Sequence, residues 1–309
     1  MRPELAETGP GAAVGEVLTR AIDRLRASGS ESARLDAELL VAHALGIERT
    51  GVLAHPEVSL PPSAAARLEG YLGRRERGEP VAYIRGIKEF HALAFTVDQR
   101  ALIPRPETEL LVDLGVSRAA AALTSGPQGW TGGRYRIVDV GTGSGAVAIA
   151  AAAALRARRF LPAVEIVATD CSADALELAV ENAVAHGLAD TIRFLRTDLL
   201  PGDEPAFDLV LANLPYVASD EVPRLPRAAS FEPGLALDGG PDGLAVIRRL
   251  LARLPEALRP MGVALLEIGA AQEAPLRAVM QVELAGWEPE FHVDLAGVPR
   301  VAELRATFP

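Results

Sequence analysis

Four residues of this chain, Asn213-Leu214-Pro215-Tyr216, combine types and spacing suited to chemistry on a flat nitrogen. They follow Phe207-Asp208-Leu209-Val210-Leu211-Ala212, an apolar run of strand length and β-compatible composition. A strand ending in asparagine, then a proline that cannot continue a ladder, then an aromatic ring, predicts a rigid turn at a sheet's carboxyl edge. Open α/β sheets bind their ligands at that edge. The Asn213 amide oxygen and the carbonyl that follows it can together accept both hydrogens of an NH2 group. The same residues also suit a plain strand-ending turn with a packed tyrosine, and taken alone they leave both readings open.

A second stretch, Asp139-Val140-Gly141-Thr142-Gly143-Ser144-Gly145, shifts the balance toward a ligand site. With Ala146 it satisfies the loose dinucleotide fingerprint G-x-G-x-x-G/A, and Asp170 lies about the right distance on, so a nicotinamide dehydrogenase is a competing reading. Three carboxylates favour S-adenosylmethionine instead. Asp139 stands two residues before the first glycine, where it can attract an amino-acid ammonium group. Asp170 ends the next strand, placed for both ribose hydroxyls, and Asp198 ends the one after, where adenine's exocyclic amine would lie. Three carboxylates repel a pyrophosphate and attract a cofactor carrying a sulfonium and an ammonium. No histidine or tyrosine is placed by a motif to handle hydride.

These stretches need a scaffold, and from Arg136 the chain alternates strand and helix. Strands are expected at Ile137–Val140, Val164–Asp170, Ile192–Leu195, Phe207–Ala212 and Val263–Ile268. Helices are expected at Ala146–Arg156, Ser172–His186, about Leu244–Leu258 and 272–285. Glu290–Leu295 and Arg300–Leu304 can close the sheet as a terminal antiparallel hairpin. This rhythm predicts an α/β fold with a doubly wound, Rossmann-like sheet. Ahead of it, Leu102-Ile103-Pro104-Arg105-Pro106-Glu107-Thr108-Glu109 leads into a helix, with Pro106 at the first helical position and acidic residues where the helix dipole favours them. Ser125-Gly126-Pro127-Gln128-Gly129 with Gly132-Gly133 reads as a surface loop.

The first third reads as three or so amphipathic helices between Ala12 and Arg77, broken at Ser28-Gly29-Ser30 and Gly46 and restarted at Pro61-Pro62-Ser63. It holds no evident chemistry, which leaves partner recognition or plain stability as its role. Glu79 to Val97, alternating around Gly86, predicts a β-hairpin linker. With 309 residues and 49% hydrophobic content, the chain can bury one large core and a smaller one. A net charge of -10 disfavours broad attachment to nucleic acid or anionic membrane. The single cysteine, Cys171, excludes an internal disulfide and a cysteine-built metal cluster, and no metal site is expected. No secretory signal or membrane-spanning run is evident, so a cytoplasmic protein is expected. His43, His55, His91, His186 and His292 lack motif context and read as structural, Cys171 as a small packed residue, and Glu267 as a solvated or capping carboxylate.

With the glycine loop, the acidic strand ends and Asn213 to Tyr216 in hand, the chain resembles class I methyltransferases that act on a planar amide or amine nitrogen. The N-P-P-Y type of motif is shared by nucleic-acid adenine methyltransferases and protein glutamine methyltransferases. Leu102 to Glu109 is similar to the L-I-P-R-P-x-T-E segment of release-factor glutamine methyltransferases, the HemK family. Pro80-Val81-Ala82-Tyr83 with Gly86, Glu89 and Phe90 is similar to that family too, as are Phe231-Glu232-Pro233, Leu237 and Gly239-Gly240-Pro241-Asp242-Gly243. The resemblance covers nearly the whole chain. It implies a helical substrate-recognition domain at 1–78, a hairpin linker at 79–100 and a methyltransferase domain at 101–309.

The resemblance further implies methyl transfer from S-adenosyl-L-methionine to the side-chain nitrogen (N5) of the glutamine in the Gly-Gly-Gln (GGQ) loop of class 1 peptide chain release factors. The enzyme is expected to be a monomer with no membrane or stable nucleic-acid partner. Carried onto this chain, the cofactor site comprises Asp139, Gly141, Thr142, Gly143, Ser144, Gly145, Asp170, Asp198 and Leu199, with Asn213 bridging to the substrate. Asn213, Leu214, Pro215 and Tyr216 are the implied substrate-binding and catalytic residues. Leu214 departs from the family, which usually has its first proline there. Leucine at this position is familiar from rRNA adenine dimethyltransferases, so adenine-N6 methylation of nucleic acid is an alternative. Ribosomal-protein glutamine methylation and a non-catalytic S-adenosylmethionine-binding adaptor are others.

Overall fold

The computed structural model describes residues 12–125 and 133–306; of the loop expected at Ser125–Gly129 with Gly132-Gly133, all but Ser125 and Gly133 lies outside them. The chain divides into two compact units, one running to Gly86 and taking in Pro226–Phe231, the other comprising Ile87–Leu225 and Glu232–Pro309. No helix among the described residues is long and apolar enough to cross a membrane.

The first unit consists of α1 (Val14–Ala27), α2 (Ala33–Leu45), α3 (Arg49–Ala54), α4 (Pro62–Glu76) and α5 (Val81–Arg85). Leu25, Leu40, Val41, Leu68, Leu72 and Ile84 form its apolar core. Glu38, 1% exposed, is covered by two arginines, with one oxygen on Arg34 (2.9 Å) and the other on Arg49 (2.7 Å). The sequence reading missed α3 and misassigned α5. Val81 to Ile84 alternates like a strand, yet Pro80 opens a single turn of helix and Gly86, at φ +70°, closes it in the left-handed conformation. His43 lies 4.9 Å from the Tyr71 ring, which accounts for it structurally.

In the second unit, the hairpin itself is β1 (Ile87–Phe90) and β2 (Leu93–Thr96). His91 and Ala92 turn the chain at φ 50° and 58°, a conformation unfavourable for residues bearing a Cβ. The turn is tied down by α6 (Glu109–Ser125): the His91 N–H donates to Glu109 Oε1 at 2.8 Å, and its ring bonds Asp113 at 3.0 Å.

The main sheet is built from β3 (Tyr135–Val140), β4 (Val164–Asp170), β5 (Ile192–Arg196), β6 (Phe207–Ala212), β7 (Leu258–Glu267), β8 (Trp287–Val293) and β9 (Pro299–Ala306). Their spatial order is β5-β4-β3-β6-β7-β9-β8. The first five are parallel, and β9 runs antiparallel between β7 and β8. The helices are α7 (Ala146–Ala157), α8 (Ala173–Ala185), α9 (Ala245–Leu251), α10 (Leu254–Ala257) and α11 (Glu273–Glu283). One helix was expected near 244–258; two form, because Pro255 cannot continue α9 and instead starts α10. The strand order reverses between β3 and β6, where crossovers diverge and a crevice opens at the carboxyl edge.

Two buried polar groups tie elements to this sheet. Glu303 of β9, 0% exposed, accepts from Arg118 of α6 (2.8 Å) and His292 of β8 (2.9 Å) and also pairs with Arg305. Asn182 of α8, 1% exposed, accepts from the Thr96 N–H (2.8 Å) and donates to the carbonyls of Thr96 (3.0 Å) and Ser144 (2.9 Å). It thereby joins the β1–β2 hairpin to the loop after β3. Asn182→Ala leaves three backbone groups without their partner, each loss costing about 1–3 kcal/mol when buried. An overall destabilisation of about 3 kcal/mol is expected in urea unfolding, and a change below about 1 kcal/mol contradicts this account.

Candidate active site

Parallel pairing of β3 with β6 sets Asp139 beside Leu211 and Val140 beside Ala212, so the glycine loop and Asn213 leave the sheet side by side. They border a crevice of about 900 Å³, its open mouth included. Asp139, Gly141, Thr142, Gly143, Ser144, Asp170 and Asn213 all line it. Thr108 and Pro104 line it from the segment before α6, and Pro233 and Leu235 from the loop after β6.

The loop is shaped from within. Asp139, 1% exposed, accepts from Thr142 Oγ1 at 2.6 Å and from the Ala148 N–H at 3.1 Å. Burial pushes its pKa up to about 7, against the pull of those two hydrogen bonds. Asp170 accepts from the Gly143 N–H on one oxygen and the Ser172 N–H on the other, each at 2.9 Å. Gly145 stands behind the lining, where the loop enters α7 at φ +81°; a Cβ there would meet Ile149 at 2.8 Å and Ala179 at 3.1 Å. The position therefore requires glycine.

Asp198 and Leu199 lie outside the lining. Asp198 is exposed, its carboxylate paired with Arg249 and its carbonyl accepting from Arg253 at 3.0 Å. Leu199 is buried at φ +62°, and its carbonyl accepts from Thr169 Oγ1 at 2.8 Å.

The Asn213 side chain has a defined orientation: Nδ2 donates to Thr108 Oγ1 at 3.0 Å, which turns Oδ1 away from Thr108. Thr108 is 3% exposed in the turn Pro106–Thr108. The segment carrying it is fastened by Glu232, which accepts from the Ile103 N–H at 3.0 Å and pairs with Arg105. The two sequence stretches around Ile103 and Glu232 thus meet in space.

Leu214, Pro215 and Tyr216 do not line the crevice: Leu214 is buried, and Pro215 and Tyr216 are half-buried. Leu214 is 5% exposed and packs in the sheet core, its Cδ2 3.1 Å from where a Cβ on Gly141 would sit. Burying a leucine contributes about 1.5–3 kcal/mol, more than the roughly 0.4–1 kcal/mol a proline gives by stiffening the unfolded chain. The carbonyls of Pro215 and Tyr216 are gripped by the glycine-rich turn: a Cβ on Gly239 would fall 2.7 Å from the first. Gln272 Nε2 donates to the Tyr216 carbonyl (3.0 Å) and the Gly243 carbonyl (3.1 Å), while its Oε1 accepts from the Gly269 N–H (2.8 Å).

Glu267 departs from the sequence reading of a solvated or capping carboxylate. It is 2% exposed at the end of β7, and the Tyr216 hydroxyl lies 3.5 Å from its Oε1. Burial pushes its pKa up to about 7, while hydrogen bonding from Thr108 and Tyr216 pulls the other way. Burial likewise raises the Tyr216 phenol to about 12. Gln272 and Asn182 were not singled out from the sequence; Thr108 stood in the Leu102–Glu109 segment without a role of its own, and Glu267 stood out only as a charge closing the apolar run from Val263.

Known proteins give the same picture. Residues 16–86 match the model of the PrmC N-terminal domain, and residues 137–230 match a methyltransferase domain model. The release factor glutamine methyltransferase of Bradyrhizobium diazoefficiens is 35% identical over 99% of this chain and 99% of its own length. That of Moorella thermoacetica is 38% identical, covering 92% of this chain and 95% of its own. Among solved structures, the hMettl16 catalytic domain aligns at 15% identity with a TM-score of 0.53, covering 80% of this chain and 82% of that one; it shares the fold. Similarity of this extent across both the helical and the sheet units places the chain in the release factor glutamine methyltransferase family.

Proposed function

We propose that this chain transfers a methyl group from S-adenosyl-L-methionine to the side-chain amide nitrogen of the glutamine in the Gly-Gly-Gln loop of a class 1 peptide chain release factor. The observation that carries the reading is the Asn213 side chain, whose Nδ2 is held by Thr108 so that Oδ1 remains to accept. A primary amide presents two hydrogens. Asn213 Oδ1 and the Leu214 carbonyl are assigned to accept them, orienting the nitrogen lone pair and favouring pyramidal nitrogen as positive charge develops. An amide nitrogen is a weak nucleophile, so positioning is the main lever, of the order of 7–11 kcal/mol where two reactants are held in line.

The crevice fits the cofactor's chemistry. S-adenosylmethionine, when bound, supplies an electrophilic methyl on a sulfonium. Asp139 is assigned to the cofactor ammonium, Asp170 to the ribose, and Gly141 to Gly145 to close backbone approach. Asp198 with Leu199 remains assigned to the adenine end. Its pair with Arg249 is exposed, and such pairs contribute only about 0–1 kcal/mol, so exchange for the adenine amine costs little. As the new N–CH3 bond forms and the S–CH3 bond breaks, sulfur keeps the electron pair and the nitrogen loses one proton to water. The helical unit is assigned to recognition of the release factor, and the hairpin 87–96 to linking it to the catalytic unit.

Purified chain offered release factor, ribosomal protein and rRNA with S-adenosylmethionine is expected to methylate only the release factor, at the Gly-Gly-Gln glutamine, located by peptide mass spectrometry. Methyl found only on nucleobases overturns the reading. Asn213→Ala is expected to lower turnover by about a hundredfold, as loss of a transition-state contact does, while cofactor affinity changes little. Parallel loss of both counts against Asn213's assignment.

Asp139 gives this binding a pH signature. An ammonium partner favours the carboxylate form, so cofactor affinity is expected to fall as pH drops through about 7 and binding near neutrality to release part of a proton. Without cofactor the sign reverses. The raised carboxyl contributes stability below its unfolded value of 3.8, and this is lost as pH rises through about 7. Calorimetric titration in two buffers of different ionisation enthalpy measures the released proton. Equal heats in both assign the ammonium elsewhere.

A further inference from the structure

Gln272 stands at the N-terminus of α11, a position where a short side chain such as Ser, Asp or Asn ordinarily caps the helix. It makes no such cap. Its amide reaches instead to three other segments: Nε2 donates to the Tyr216 carbonyl at 3.0 Å and to the Gly243 carbonyl at 3.1 Å, while Oε1 accepts from the Gly269 N–H at 2.8 Å. Flipped, the oxygen would face two carbonyls and the NH2 an N–H, so these partners admit one orientation only. They lie beyond the ends of β6 and β7 and in the turn before α9. The junction has no spare room. Gly243 sits at φ +72°, and a Cβ there would fall 2.3 Å from the Tyr216 carbonyl oxygen and 2.9 Å from Gln272 Nε2.

We propose that Gln272 is a positioning residue for methyl transfer, holding through Tyr216 the backbone that presents the Leu214 carbonyl to the target amide; the inference rests on the glutamine-methylation reading above. Leu214 lies two residues before the clasped carbonyl. The residue after it is anchored as well: the Val217 N–H donates to the Leu237 carbonyl at 3.1 Å, and the Val217 carbonyl accepts from the Gly239 N–H at 2.8 Å. Val217 thus pairs with the glycine-rich turn, and the Tyr216 carbonyl is held by Gln272. Together these bonds set the peptide planes that follow Leu214. The Tyr216 ring rests on the same support, since a Cβ on Gly269 would lie 3.4 Å from its Cδ2 and 3.3 Å from Gln272 Oε1. Gln272 does not line the crevice, so its action passes through the backbone of the turn. Misplacing a reacting group by about 1 Å costs about a hundredfold in rate, which makes so remote a clasp matter to turnover.

The test uses the full chain, a release factor carrying the Gly-Gly-Gln loop and saturating S-adenosylmethionine. Gln272→Met keeps the side chain's length and removes its hydrogen bonds. Gln272→Glu keeps an oxygen for the Gly269 N–H but, when ionised, turns its second oxygen on two carbonyls. Each is expected to lower kcat by about tenfold or more near neutral pH. KM for the release factor and cofactor affinity should stay within about twofold of wild type, as when a contact acts in the transition state. As pH falls toward about 5, the introduced carboxyl gains a proton and can donate to one carbonyl. The kcat of Gln272→Glu relative to wild type is then expected to rise severalfold, and that of Gln272→Met to stay level. The titratable neighbours are common to all three proteins, so the ratio isolates the introduced group: Asp242 paired with Arg248, Glu273 paired with Arg277, and Glu267 near the Tyr216 hydroxyl. Full kcat in Gln272→Met, a change in KM alone, a kcat loss matched by lost cofactor affinity, or a Gln272→Glu ratio that is flat with pH overturns the proposal. If Gln272→Glu fails to fold, the kcat-against-KM split of Gln272→Met decides alone. Absence of methylation by the wild-type chain overturns the functional reading instead, a separate outcome.

Discussion

A hydrogen bond of 3.0 Å from the Asn213 amide to Thr108 is the contact on which the carboxyl edge of the sheet depends. It brings together residues 105 positions apart, and each must be fixed before the bond has meaning. Asn213 is fixed by β6, buried in mid-sheet between β3 and β7. Thr108 is fixed by the turn into α6, which Glu232 holds through Ile103 and Arg105. The doubly wound sheet, the segment before α6 and the long loop after β6 thus converge on one side chain. The glycine loop lines the same crevice.

Buried carboxylates separate into two kinds here. Glu38, Glu232 and Glu303 are each flanked by at least one arginine, as expected where burial of a charge must be offset. Asp139 and Glu267 are equally buried, yet neither makes an ion pair among the described residues, and both have a pKa pushed up to about 7. Both also lie at the carboxyl ends of parallel strands, β3 and β7. Perturbed carboxyls of this kind gather at functional sites more than elsewhere.

Much of this was legible in sequence because the signals were local. The strands showed as apolar runs, the glycine loop as spacing, and Asn213 as a polar residue ending a strand before proline. Failures arose where the determinant was short or distant. Five residues of α5 give too little of a 3.6-residue period to outweigh an apparent alternation of two. Pro255, inside the expected helix, was a visible stop signal passed over. Glu267 looked like a solvated strand end because residues that cover it, Thr108 and Tyr216, lie far away in the chain. Asp198 lies two residues beyond the end of β5 rather than ending it, and Arg249, which occupies it, comes from α9. Gln272 shows nothing beyond a helix start until its amide is seen holding Tyr216 and Gly243.

The buried side chain of Leu214 bears on how such an enzyme can diverge. A pyrrolidine ring would stiffen that position from inside the chain; here the restraint comes from outside, through core contacts and the clasp that Gly239 and Gln272 place on the next two carbonyls. Because the peptide oxygen and not the side chain is assigned to touch the target, imino-acid and aliphatic residues are interchangeable solutions at one site. A lineage can drift between them without passing through an inactive ancestor, provided the neighbouring clasp is already in place.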